Sequence, residues 1–439
     1  MNTVLRLAVP AVLTNLAVPL LGLIDMAIVG HMGSETYIGA IAVGTMLFNL
    51  IYWLFGFLRM STGGFTSQAL GRRDQNEIAY TLLRATCIAL AGALLLWLLQ
   101  WPLSRLGLLL IGSSDIVNSL ALRYFHILLW GAPAVLCLYG LNGWFLGMQN
   151  SRYPMYITVF QSLANIALSL LFVIVMGMHM EGVALGTLIS QYLGLGLALV
   201  LWHRTYGHHF GGGQTAGLLL RCFWNDNRRL DTWQPLFRVN GDLFLRTLCL
   251  VMVTLYFTHV GAQQGDTMLA VNALLMQLFT LYSYFMDGFA YAGEALTGLS
   301  IGSHDAVLLK TSLRNVFLQG LVVTIVFTLA YGVFGGALLR LLTDDTHVLR
   351  TAGSYLPWAA CIPFCGMAAF LWDGIYAGAT DSRSMLVSLL VGTCVFFCVF
   401  LLTRSHIGNH GLWLAFLLYL LTRGAVLSIR WSSRKHLTP

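Results

Sequence analysis

The chain has 439 residues, 58% of them hydrophobic and only 9% charged, with a mean hydropathy of +0.76. Soluble domains carry about 25% charged residues, so a water-exposed globule is excluded and the apolar excess must face lipid. The 24 basic and 17 acidic residues leave a formal charge of +7, which in a soluble chain would point to nucleic acid; here the question is where the basic residues sit.

A membrane-spanning helix needs roughly 20 apolar residues. In chain order such stretches cover 7–30, 40–66, 79–101, 120–146, 155–178 and 182–202, then 237–259, 268–298, 311–340, 352–378, 385–403 and 411–429. These twelve predict an all-α polytopic membrane protein with little room for an extramembrane catalytic domain. The first stretch is too long for the apolar region of a signal peptide and is read as a retained helix. The longest hydrophilic stretch contains Gly211, Gly212 and Gly213 and the polar run from Asn225 to Asp231. It reads as a cytoplasmic linker, 204–236, between an N-terminal six-helix lobe, 1–203, and a C-terminal one, 237–439.

With the N-terminus placed in the cytoplasm, fourteen Lys and Arg residues fall in inside connections and only Arg105, Arg123, Arg340, Arg350 and Arg404 outside. This satisfies the positive-inside rule, puts both termini in the cytoplasm and accounts for the +7 without nucleic acid. The eight cysteines lie mostly in apolar stretches with no histidine beside them, and read as small packing residues, not as a metal or disulfide site. No Asn-x-Ser/Thr site occurs, which favours a bacterial membrane.

The two halves resemble each other at an offset of 231 residues. Asn142-Gly-Trp-Phe-Leu-Gly147 with Ser151-Arg152 aligns with Asp373-Gly-Ile-Tyr-Ala-Gly378 with Ser382-Arg383, and Gly30, Gly71 and Asp74 meet Gly261, Gly302 and Asp305. Two copies of an even number of helices have the same membrane topology, which predicts a pseudo-twofold along the membrane normal and alternating access by rocking of the halves. A transporter is the leading expectation.

Four acids lie inside apolar stretches: Asp25, Asp287, Glu294 and Asp373. An acid at a helix centre costs about 2.5–3.5 kcal/mol on insertion scales, so such groups face a bundle interior or a wet cavity, where a proton or ion site is the default expectation. The structural alternative is pairing with Arg59 or Arg246. Asp25 follows Pro10, Pro19 and Gly22 on one helix. Pro19 removes a backbone hydrogen bond and makes a hinge with Gly22. A carboxyl just beyond it, neutral when desolvated and ionised when wet, is a proton switch on a bendable helix. At the 231-residue offset Asp25, Asp287, Glu294 and Asp373 meet Tyr256, Gly56, Gly63 and Asn142. Each half therefore has its own polar chemistry.

The fifth helix carries Asn165 and Ser169 one turn apart, and the sixth carries Thr187, expected either to line a cavity beside Asp25 or to join helices. Tyr284, Phe289, Trp372, Met60 and Met286 are candidates for an adaptable apolar cavity, which together with acids would suit a lipophilic cation. There is no phosphate-binding loop, dinucleotide fingerprint or paired metal-ligand motif. No cofactor, metal or enzymatic activity is expected, and the energy must come from an ion gradient.

The sequence resembles the multidrug and toxic compound extrusion (MATE) transporters, specifically the DNA-damage-inducible protein F type. The matching segments are Arg6-Leu-Ala-Val-Pro10, Val18 to Asp25 with Gly30-His31, Leu58-Arg-Met-Ser-Thr62, Ala270-Val-Asn-Ala273, Asp287 to Ala292 with Glu294, and Asp373-Gly-x-x-x-Gly-Ala-Thr380. The resemblance implies a V-shaped pair of six-helix lobes that export drugs or other amphipathic compounds in exchange for protons or sodium ions. It implies that Asp25 is the protonation site, coupled to bending of its helix, and that Asn165 and Thr187 share its pocket. It also implies that Asp373, Asp287 and Glu294 contribute a second-lobe cation site. Ser169 stands where many relatives carry a second acid, which tilts the expectation from sodium towards protons. The expected protein is a monomeric, proton-coupled exporter of drug-like cations in a bacterial inner membrane. The alternatives are a sodium-coupled exporter and a lipid-linked oligosaccharide flippase of the same superfamily.

Overall fold

The computed structural model describes residues 2–30, 35–111, 115–207 and 230–433, and the side chain of Asp25 and most of the expected linker lie outside the described residues. In the first half the helices are α1 (Asn2–Gly30), α2 (Glu35–Leu54), α3 (Phe57–Gly71), α4 (Gln75–Leu98), α5 (Gln100–Ile111), α6 (Asp115–Leu129), α7 (Ala132–Gly147), α8 (Arg152–Leu170) and α9 (Met180–Tyr206). The second half has α10 (Leu230–Gln263), α11 (Asp266–Gly302), α12 (Ala306–Leu342), α13 (Thr346–Gly378), α14 (Ser382–Ile407) and α15 (Asn409–Ser433). No strand occurs among the described residues.

Among the described residues eleven helices are long and apolar enough to cross a membrane, and α6 and α7, bent by 54° at their junction, make a twelfth span when the pair is counted as one. The α2–α3 pair forms one span, 39–71, interrupted at Phe55 and Gly56. Six spans precede the central segment and six follow it, as the hydropathy predicts. The break between α6 and α7 is not visible in hydropathy, because both pieces remain apolar. It exposes carbonyls that lipid cannot satisfy. Trp97 Nε1 donates to Leu129 O at 2.9 Å and the Tyr192 hydroxyl to Trp130 O at 2.8 Å, closing that deficit with side chains from neighbouring helices.

The chain clusters into two compact units, Leu13–Leu236 and Met1–Val12 with Phe237–Pro439. The first eleven residues of α1, Asn2–Val12, group with the residues from Phe237 onwards. A Cβ on Gly288 of α11 would meet Ala8 O and Val12 N at 3.0 Å, so the absence of a side chain there lets the start of α1 lie against α11.

The internal repeat extends to backbone detail. Residues Arg73 and His304, 231 apart, both have positive φ (58° and 54°), as do Gln149 and Thr380 (61° and 55°). Asp74 caps α4 through the N–H of Glu77, and Asp305 caps α12 through that of Leu308. In the first unit a Cβ on Gly143 would overlap Arg59 O, and one on Gly147 would come within 2.8 Å of Gly63 O. In the second unit the matching Gly374 and Gly378 abut Ala290 O and Glu294 O. Such glycines let two helix backbones touch, the usual device where lipid supplies no drive for helix association.

Candidate functional site

In the first unit the polar residues of the fifth and sixth spans meet. Asn165 Nδ2 donates to Thr187 Oγ1 at 2.8 Å, and Thr187 in turn donates to Val183 O at 3.0 Å. Asn165 and Ser169 are fully buried on one face of α8. Gly186 of α9 leaves the room this needs, since a Cβ there would stand 2.7 Å from Ser169 Oγ. Among the described residues, Asn165 Oδ1, Ser169 Oγ and Gln191 Oε1 are buried without a hydrogen-bond partner. Buried acceptors of this kind are costly and are retained where a ligand, ion or water completes them. Immediately after Ser169 the backbone widens into a π-helical turn, Leu171–Val175, a local irregularity that often marks functional positions in helices.

Helix α1 carries Pro19 and Gly22, the residues expected to form a hinge. Pro10 and Pro19 both lie inside it, and nothing stands within 4 Å of a Cβ placed on Gly22. Val18 and Leu20 are 61% and 58% exposed, so the protein's own residues cover little of the helix around Pro19. Position 25 is on the same helix in the same compact unit as Asn165 and Thr187.

In the second unit the three acids lie on two helices. Asp287 is half-buried on α11, and Glu294, two turns further along, is fully buried. Asp373 on α13 is paired twice through a single oxygen. Arg246 of α10 and Arg423 of α15 both donate to Asp373 Oδ2, the latter at 2.6 Å. The pairing with Arg246 is the structural alternative that the sequence offers. Arg423 goes unnoticed there, being one basic residue within an apolar helix and not in a loop. Its presence inside a span was the signal. A doubly paired carboxylate is already charge-compensated, unlike an acid open to a cation.

The aromatic and methionine candidates mostly fill cores. Met286 is fully buried and Phe289 only 6% exposed. Trp372 packs against Phe317, Tyr376 and Trp431 and donates to Ser428 Oγ at 2.7 Å. Tyr284 and Met60 are half-buried. No group of three or more His, Cys, Asp or Glu able to hold a metal occurs among the described residues.

The MatE family model matches the chain twice, over residues 10–171 and 243–402, once in each half. The DNA damage-inducible protein F of Escherichia coli is 36% identical over 431 residues, covering 98% of this chain and 91% of that protein. The multidrug resistance protein MdtK of Edwardsiella ictaluri is 22% identical, covering 99% and 96%. Among solved structures, a MATE protein crystallised in the bent conformation aligns with a TM-score of 0.85 at 18% identity, covering 98% of this chain and 95% of that one. The Vibrio cholerae MATE transporter VcmN in its bent form aligns at 0.82 and 17%, covering 98% and 96%. With the family model matched in both halves and a full-length relative above a third identical, the chain belongs to the MATE family, on its DNA damage-inducible protein F side, and is a transporter, not an enzyme.

Proposed function

We propose that the protein exports drug-like amphipathic compounds, chiefly cations, in exchange for protons, with Asp25 as the protonation switch. The observation that carries this reading is the division of α1. Its first eleven residues group with the second unit and the remainder, with Pro19, Gly22 and position 25, with the first. A bend at the Pro19–Gly22 section therefore couples protonation at Asp25 to both units, by alternating access. Desolvation in a closed state favours the neutral carboxyl, and wetting favours the charged one. The unmatched oxygens of Asn165, Ser169 and Gln191 supply acceptors in the unit that holds Asp25. Ser169, where an acid would serve sodium, supports protons as the coupling ion. Asp287 and Glu294 are the second-unit candidates for cation coupling; Asp373, held by two arginines, contributes least.

The names of the relatives, multidrug resistance and toxin extrusion proteins among them, support a drug-like substrate class. A bacterial inner membrane with both termini cytoplasmic follows from the distribution of basic residues, and a monomer is the proposed unit. The test is efflux of a fluorescent cationic dye from everted vesicles energised by respiration. Asp25→Asn should lose coupled transport while inserting normally, and retention of gradient-driven efflux would overturn the proposed switch. Sodium-dependent transport without proton counterflow would redirect the coupling ion and leave the family assignment intact.

A further inference from the structure

The ion cluster of the second unit has an imbalance of charge. Arg246 and Arg423 are 8% and 4% exposed, and the acid paired with both is Asp373, itself 8% exposed. Two guanidiniums and one carboxylate sum to a single positive charge inside three membrane-spanning helices. Both pairs use the same oxygen, Asp373 Oδ2, while among the described residues Asp373 Oδ1 and the Nε atoms of both arginines are buried without a hydrogen-bond partner. Tyr419 is the fourth group: its ring lies under Arg423, 5.3 Å from the guanidinium carbon, within electrostatic reach of Arg246 and Asp373. Gly392 of α14 makes the space, since a Cβ there would press to 3.0 Å on Arg423 Cγ and 3.2 Å on the Tyr419 ring.

A buried charge is expensive unless paired and hydrogen-bonded, and arginine donors left unpaired beside an excess positive charge are the groups that bind chloride, carboxylates and phosphates. The first unit has no counterpart: 231 residues earlier stand Asn15, Asn142 and Tyr192, all uncharged. The cluster is thus an addition to the repeated architecture. We propose that the second unit holds a buried anion site at Arg246 and Arg423, with Asp373 as the fixed counter-charge, taking a monovalent anion of chloride or carboxylate chemistry. The carboxylate can come from a small free acid or from an amphipathic substrate. The proposal is independent of the coupling role given to Asp25, which lies in the other unit.

The purified full-length protein is heated in MES, chloride and acetate salts of equal ionic strength, with unfolding followed by intrinsic tryptophan fluorescence. Ligand binding to the native state raises the midpoint in a saturable manner, by about 3 °C at saturating anion for a chain of this size. A rise in chloride alone identifies an inorganic anion, and a rise in acetate identifies a carboxylate. Arg423→Gln leaves the neutral Arg246–Asp373 pair and should abolish the response, whereas Arg423→Lys, which keeps the charge, should retain it. If Arg423→Gln does not accumulate, retention of radiolabelled chloride and acetate by the wild type reads the same property without a variant. Identical midpoints in all three salts with no label retained, or an undiminished response in Arg423→Gln, would overturn the site. So would a response that appears only in Tyr419→Phe, since a Tyr419 phenolate would then be the missing negative charge.

Discussion

The two units repeat turn and contact features and have different interiors. At the 231-residue offset they share the positive-φ pairs Arg73/His304 and Gln149/Thr380 and the capping aspartates Asp74 and Asp305. Their close helix contacts also match, with Gly143 and Gly147 in one and Gly374 and Gly378 in the other. The polar positions diverge. Asn165 and Thr187 form the buried bond of the first unit, where the second has Phe396 and Leu418. Arg246, Asp373 and Arg423 cluster in the second, where the first has Asn15, Asn142 and Tyr192. Even the spans differ: Gly56 sits at the interruption of the second span, whereas Asp287, its counterpart, lies within the continuous α11. Architecture is thus carried by glycines, caps and turns, which cannot change without moving backbone, and chemistry by side chains, which can.

The largest expected effect comes from removing the acid that holds the second-unit cluster. Asp373→Asn leaves two buried arginines unpaired and should cost about 3–5 kcal/mol, read as poor accumulation or a much lower unfolding midpoint. Arg423→Gln should be the milder of the two. Next is the reciprocal experiment, Asn142→Asp, which places an acid in the first unit with no arginine at the matching positions. It should cost about 2.5–3.5 kcal/mol, and restoring stability by adding Asn15→Arg would show that the cluster can be transplanted.

The helix contacts come third. Gly143→Leu and Gly374→Leu push side chains into Arg59 O and Ala290 O and should each destabilise by about 1–3 kcal/mol or more. Equal losses would confirm that the two contacts are equivalent, and a loss at only one would break the comparison. The smallest effect belongs to the caps: Asp74→Ala and Asp305→Ala should each cost about 1 kcal/mol, again nearly equally, as measured by thermal midpoints in detergent.

Much of this was legible in the chain. Asn165 and Thr187 were paired as candidates, because small polar residues in apolar helices must find each other or a cavity. Asp373 was singled out, with Arg246 as a possible partner. Arg423 was not, since nothing local distinguishes a basic residue that turns inward from one that reaches the membrane surface. Hydrophobicity gives no direction, and only packing shows that Met286 and Trp372 are buried. The bend between α6 and α7 was hidden for a similar reason, as its freed carbonyls are rescued by Trp97 and Tyr192 from distant parts of the chain.

The sequence alone determined that this is a twelve-span membrane protein with a duplicated architecture, because hydropathy, charge asymmetry and turn residues act locally and leave their periodicity in the chain. Tertiary structure alone decided that Asp373 is compensated, that the start of α1 groups with the C-terminal helices, and that two arginines share one buried acid in the second unit. Those outcomes depend on which side chains meet across helices far apart in sequence, and burial makes each such meeting count.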